Sequence, residues 1–177
     1  TVNGDGASSL ASNFSKTLAR DPELKVLLID ANLRNPSLHN TFSINHTSSL
    51  ATLLEQAEPG QSPFCFEQGK VNVLPSGGIY IDPTSIFASR EFSEFLRVMQ
   101  QTFDFIVLDG PPVFRASEAR LLASKVDATI LVIRAGKTRK QIAFRAIQEL
   151  ETAGGKVLGT VLNRRKYYIP DWLYKWL

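Results

Sequence analysis

The chain has 177 residues, 44% of them hydrophobic, which is enough apolar material for one substantial core and so for a single domain over residues 1–177. Its 20 basic and 17 acidic residues leave a net charge of +3, too small and too diffuse to indicate nucleic acid as a partner. One cysteine, Cys65, excludes an internal disulfide and reads as a packing residue; no apolar run reaches membrane-span length, and no signal-peptide pattern opens the chain.

In chain order, the first segment is Thr1-Val2-Asn3-Gly4-Asp5-Gly6-Ala7-Ser8-Ser9, a glycine-rich turn followed by helical periodicity over Ser8–Ala19. Such a turn normally follows a buried strand, so a first strand is expected upstream of Thr1, at the centre of the sheet. Strands are then expected at Lys25–Asp30, Val71–Leu74, Phe105–Asp109, Ala128–Arg134 and Lys156–Asn163. Each is short and aliphatic, mostly without polar alternation, as strands buried on both faces are. Between them lie helical patterns at Ser48–Gln56, Ser89–Gln101, Ser117–Ser124 and Arg139–Ala153, with a short terminal one at Pro170–Trp176. Glu58–Lys70 reads as a loop, and Asp82-Pro83-Thr84 as a turn leading into a helix. This alternation gives an α/β chain with a mostly parallel central sheet covered by helices on both faces.

Three segments carry chemistry. In the opening turn, Gly4 and Gly6 suit an anion nest of backbone N–H groups at a helix N-terminus. Ser8 stands where a phosphate loop places its Mg²⁺ hydroxyl, and Ala7 where it places its lysine. A turn with a serine helix cap is the plainer reading of that segment alone. The second segment, Val26–Leu38, is a hydrophobic strand ending in Asp30, and the third, Phe103–Val113, is another ending in Asp109 and stopped by Pro111-Pro112. Open α/β sheets bind ligands at the carboxyl edge of their strands, so both aspartates are candidate Mg²⁺ or base carboxylates.

With these segments in place, the chain resembles the catalytic domain of the bacterial tyrosine kinases (BY-kinases) of capsule and exopolysaccharide synthesis, relatives of the MinD/ParA ATPases. That family carries a Pro-Gly-Glu-Gly-Lys-Ser loop, a Leu-Ile-Asp-Ala-Asp-Leu-Arg-Arg-Pro-Ser strand end and an Asp-Tyr-Val-Ile-Ile-Asp-Thr-Pro-Pro strand. Gly4–Ser9, Leu28–Leu38 and Asp104–Val113 occupy those places in order, as do Leu74–Gly77, Leu131–Thr138 and Leu158–Asn163. The resemblance implies a three-layer αβα P-loop NTPase-like fold that binds ATP or ADP with Mg²⁺. Gly4, Asp5, Gly6, Ala7, Ser8 and Ser9 would then form the nucleotide loop, Asp30 and Asp109 would be the catalytic carboxylates, and Ser8, Asp30 and Asp109 would surround Mg²⁺. Two positions depart from the family: Ala7 replaces the lysine, and Asn32 replaces the second aspartate of the strand-end pair.

Losing a full positive charge beside a triphosphate implies weak or absent phosphoryl transfer, unless Lys16, Arg34 or a neighbouring subunit's lysine compensates. The expectation is a degenerate BY-kinase domain at the cytoplasmic face of the bacterial inner membrane. Its partners would be a membrane chain-length-determinant (polysaccharide co-polymerase) protein or domain and further copies of itself. An active autokinase with a substituted cation and a MinD/ParA-like positioning ATPase are the alternatives.

The family also implies Tyr167, Tyr168 and Tyr174 as candidate phosphoacceptors. Against that, Trp172, Leu173 and Trp176 read as an apolar face docking the tail, and a basic-aromatic membrane contact is a third reading. His39 and His46 lack ligand spacing and read as surface residues; Arg115, Glu118 and Arg120 read as a solvated helix face or as part of an interface.

Overall fold

The structure, a computed structural model, describes residues 4–44, 49–55, 66–68, 71–78, 80 and 82–165. Its elements are α1 (Ala7–Leu18), β1 (Val26–Asp30), α2 (Leu38–Phe42), α3 (Leu50–Glu55), β2 (Phe66–Gln68), β3 (Val71–Leu74), α4 (Pro83–Ala88), α5 (Arg90–Met99), β4 (Phe105–Asp109), α6 (Glu118–Ala123), β5 (Thr129–Arg134), α7 (Lys140–Thr152) and β6 (Val157–Asn163). The five strands expected from the sequence are present within one residue of their expected ends. Cys65, His46 and the tail beyond residue 165, with Tyr167, Tyr168 and Tyr174, lie outside the described residues.

Strand β1 organises the molecule because its aliphatic residues alternate between two cores. Val26 and Leu28 pack with Ala19, Leu38, Phe42, Val71 and Val73 on one face. Leu27 and Ile29 pack with Phe87, Phe92, Leu96 and Met99 on the other. All four aliphatic side chains of β1 are fully buried, each worth about 1.5–3 kcal/mol relative to exposure. Helices α1 and α2 thus cover one side and α4 and α5 the other, as three layers require.

The order β2-β3-β1-β4 forms one sheet, parallel except for the antiparallel pair β2–β3, and β5 pairs with β6 in parallel as a separate sheet. A third cluster, Val113, Ala123, Leu131, Ala146 and Leu150, seats α6 and α7 against β5.

Several sequence expectations change. The loop at Glu58–Lys70 contains β2, which is too short at three residues to show any periodicity among neighbouring prolines and glycines. Helix α2 was not foreseen; it is a single five-residue turn whose Leu38 and Phe42, four apart, share one buried face. Strand β6 is not buried on both faces, because Leu158 and Leu162 are 64% and 57% exposed and α7 covers the opposite side. Asp82 caps α4 by accepting the Ser85 N–H at 3.4 Å, in keeping with its structural reading.

Candidate functional site

The parallel register of β1 and β4 sets Asp30 directly opposite Asp109, so both strand-end aspartates sit side by side at the carboxyl edge of the larger sheet. Helix α1 lies across these two strands and begins at that edge. Gly4 and Gly6 adopt φ of 81° and 88°, the left-handed region that glycine enters without a Cβ penalty. The first intrahelical bond runs from Leu10 N–H to the Gly6 carbonyl at 3.0 Å. The N–H groups of Ala7, Ser8 and Ser9 therefore have no acceptor within the helix. Gly6, not a serine, is the N-cap; it supplies no side-chain acceptor, and no acidic residue occupies the first turn. This helix end keeps its partial positive charge available for an anion.

Beneath the turn, Ser8 hydrogen-bonds to Asp109. Asp109 is 2% exposed, and its Oδ2 has no hydrogen-bond partner among the described residues. Burial raises its pKa to about 7; the Ser8 bond opposes the rise and the neighbouring Asp30 charge adds to it. A buried carboxylate with one unmatched oxygen, a serine hydroxyl and a second carboxylate alongside form a hard-oxygen donor set that fits a hydrated Mg²⁺. Asp30 differs. Its Oδ2 accepts the N–H groups of Ser37 and Leu38 at 2.9 Å each, and its Oδ1 accepts that of Asn32 at 3.3 Å. Burial still outweighs these bonds and raises its pKa. Asp30 thus shapes the loop between β1 and α2 as well as lining the site. Asn32 contributes its backbone N–H to that loop.

The sequence did not single out the residues that brace the loop from the other sheet. Thr138, on the turn after β5, accepts the Arg134 N–H and donates to the buried Asp5 carboxylate at 3.5 Å. Asn163, the last residue of β6, donates from Nδ2 to the Asp5 carbonyl at 2.8 Å and packs against Gly6. The signal was available, since Asn163 ends a strand at the ligand edge as Asp30 and Asp109 do.

Of the cations nominated to replace the lysine missing at Ala7, Lys16 lies over the Phe42 ring, 4.7 Å from its centroid, and Arg34 pairs with Glu118. Glu118 is 1% exposed and therefore not part of a solvated face. Burial would raise its carboxyl, but Arg34 and Ser117 more than offset that and hold it below the ordinary range. Arg120 pairs with Glu149 at 2.7 Å. His39 is half-buried on α2, close enough for its charge to act on Asp30. The fold brings Gly4–Ser9, Asp30 and Asp109 into one site and keeps Lys16 and Arg34 occupied outside it.

No family model matches the chain. Tyrosine-protein kinase YwqD of Bacillus subtilis is 33% identical over 164 residues, covering 92% of this chain and 69% of that protein. The crystal structure of the chimerical protein CapA2B2 superposes with a TM-score of 0.83 at 27% identity, covering 93% of this chain and 73% of that one. The septum site-determining protein MinD from Pyrococcus horikoshii, solved with Mg-ADP, shares the fold with a TM-score of 0.70 at 23% identity, covering 98% of this chain and 72% of that one. With a P-loop αβα framework, a nested helix N-terminus over paired strand-end aspartates and a relative this similar over this much of both chains, the chain belongs to the bacterial tyrosine-protein kinase family.

Proposed function

We propose that this domain binds ADP or ATP with Mg²⁺ and transfers phosphate to tyrosine weakly or not at all, serving capsule or exopolysaccharide synthesis as a degenerate kinase. The observation that carries this reading is the pairing of an intact metal corner with an incomplete phosphate grip. Asp109 keeps an unmatched buried oxygen beside Ser8, while position 7, in the first turn of α1, offers only a methyl group.

In this reading the N–H groups of the α1 first turn hold phosphate oxygens, and Ser8 and Asp109 hold Mg²⁺. Mg²⁺ bound there would neutralise charge on the phosphates. Asp30 fixes the loop that follows β1 through its three backbone acceptor bonds and adds negative charge near the metal corner. Asp5, held by Thr138 and Asn163, keeps the glycine turn in its nest shape. Without a lysine at position 7, a preorganised positive donor is missing, at a cost on the order of 10²–10³ in rate. The family resemblance supports a membrane polysaccharide co-polymerase as partner, self-association, and a place at the cytoplasmic face of the inner membrane. It also supports the tail tyrosines Tyr167, Tyr168 and Tyr174 as acceptors.

Calorimetry with ADP in the presence and absence of Mg²⁺ tests the binding half, and transfer of labelled phosphate from ATP to tyrosine tests the other. Mg²⁺-dependent ADP binding with little phosphotyrosine is expected. Robust phosphotyrosine on the isolated domain overturns the degenerate reading, and failure of both wild type and Ala7→Lys to bind ADP overturns the nucleotide site.

A further inference from the structure

The side of Gly6 on which a side chain would project is occupied by two residues from the end of β6, Asn163 and Arg164. A Cβ built on Gly6 would lie 3.8 Å from Arg164 Nε. We infer that Arg164 supplies, from across the loop, positive charge of the kind that Ala7 does not, and so acts as the phosphate-facing cation of this domain. The inference rests on the nucleotide-site reading above.

Four observations converge on it. First, the Arg164 backbone is set in an uncommon conformation: its φ is 55°, in the left-handed region costly for a residue with a Cβ. That conformation is anchored by the Arg164 N–H donating to Asn163 Oδ1 at 2.8 Å. Second, the same Asn163 carboxamide donates to the Asp5 carbonyl at 2.8 Å, so one side chain ties Arg164 and the loop together. Third, the guanidinium makes no ion pair among the described residues, whereas Arg34 is paired with a carboxylate and Lys16 lies over an aromatic ring. Fourth, it stands beside a helix N-terminus that has neither an acidic first turn nor a side-chain cap. Two positive ends facing one another repel, and an anion between them relieves both. Arginine suits the task because its planar fork can bind phosphate oxygens in pairs.

Calorimetry with ADP, AMP and adenosine, each with Mg²⁺, on wild type, Arg164→Ala, Arg164→Lys, Ala7→Lys and Ala7→Lys/Arg164→Ala tests it. Expected are a loss of ADP affinity of about ten- to a hundredfold in Arg164→Ala, partial recovery in Arg164→Lys, which restores the charge but not the fork, and little change for adenosine. In the Ala7→Lys background the Arg164→Ala loss should shrink to about threefold or less, because the two cations serve the same phosphates. Unchanged ADP affinity in Arg164→Ala overturns the inference. So does an equal loss for adenosine and ADP that Lys fails to rescue, which would mark Arg164 as a platform for the base. If only Ala7→Lys binds ADP, the inference falls while the site reading stands. If neither it nor wild type binds ADP, both fall.

Discussion

Asp30 and Asp109 stand opposite each other in the parallel register of β1 and β4, yet their carboxylates are used differently. Asp30 accepts three backbone N–H groups, whereas Asp109 takes the Ser8 hydrogen bond and leaves Oδ2 unmatched. The first carboxylate is built into the backbone, and the second keeps one oxygen without a hydrogen-bond partner among the described residues.

That difference fixes a pH dependence. With its folded pKa raised to about 7 from the ordinary 3.8 of an aspartate, Asp109 binds more protons folded than unfolded between those values. Stability of the metal-free domain should therefore fall as pH rises from about 4 to 7 and level off above, by up to about 4 kcal/mol from this residue. Asp30, also raised, acts with the same sign. Asp109→Asn should remove the penalty: its melting temperature should exceed that of wild type at pH 8 and match it near pH 4. In wild type, Mg²⁺ should raise the melting temperature more at pH 8 than at pH 6, since metal and proton compete for one carboxylate, and Asp109→Asn should abolish that gain. Thermal melts across this range, with and without Mg²⁺, read both effects.

Asp30→Ala should be destabilising for a different reason. It strands the N–H groups of Asn32, Ser37 and Leu38 around a fully buried position, at about 1–3 kcal/mol for each group left unsatisfied. Asp30→Asn keeps one acceptor oxygen for Ser37 and Leu38 and should cost less than half as much. Urea unfolding separates the two. Equal, small losses would mean that these bonds do not fix the loop.

Much of this site was legible because its signals are local. A hydrophobic run that ends in Asp, twice, marks the carboxyl edge of a parallel sheet, and glycines before a helical period mark the turn that opens α1. Asn163 and Thr138 were less legible, because their meaning lies in a contact with Asp5 across more than a hundred residues of chain. Glu118 illustrates the same limit. Its sequence neighbours Arg115 and Arg120 suggest a solvated face, and only the fold brings Arg34 and Thr84 against it and buries it. Strand β2 was hidden by its length, since three residues pair through backbone register that no side-chain period announces.

The Arg34–Glu118 pair joins the loop after β1 to the start of α6. Arg34→Met leaves a buried carboxylate with the Thr84 and Ser117 hydroxyls and its own backbone N–H but no cation. Breaking a fully buried pair is strongly destabilising; because Arg34 is 44% exposed and screened by solvent, a smaller loss is expected here. The cost should depend on pH. In wild type the lowered Glu118 pKa gives stability that is present above its unfolded value of 4.5 and lost below it. In Arg34→Met burial raises that pKa, and stability falls as pH rises. Chemical denaturation should show the gap between the two proteins widening from pH 4 to pH 7. A constant gap would assign the loss to packing of the arginine stem.

Ala7→Lys tests the proposed effect of the absent lysine on binding and transfer. The residue lies in the first turn of α1, directly before Ser8, where the backbone N–H groups already lack helical acceptors. Lysine there adds a positive charge beside that helix end, so the ligand-free domain should lose about 0.3–1 kcal/mol of stability. With an anion bound the sign reverses, and ADP with Mg²⁺ should raise the melting temperature of Ala7→Lys more than that of wild type. Phosphotyrosine formation should increase by about 10²–10³ if the positive donor is the limiting element. If ADP binding tightens without any gain in transfer, the second departure, Asn32 in place of an aspartate, becomes the limiting one. The double variant Ala7→Lys/Asn32→Asp then locates the defect by restoring the remaining carboxylate.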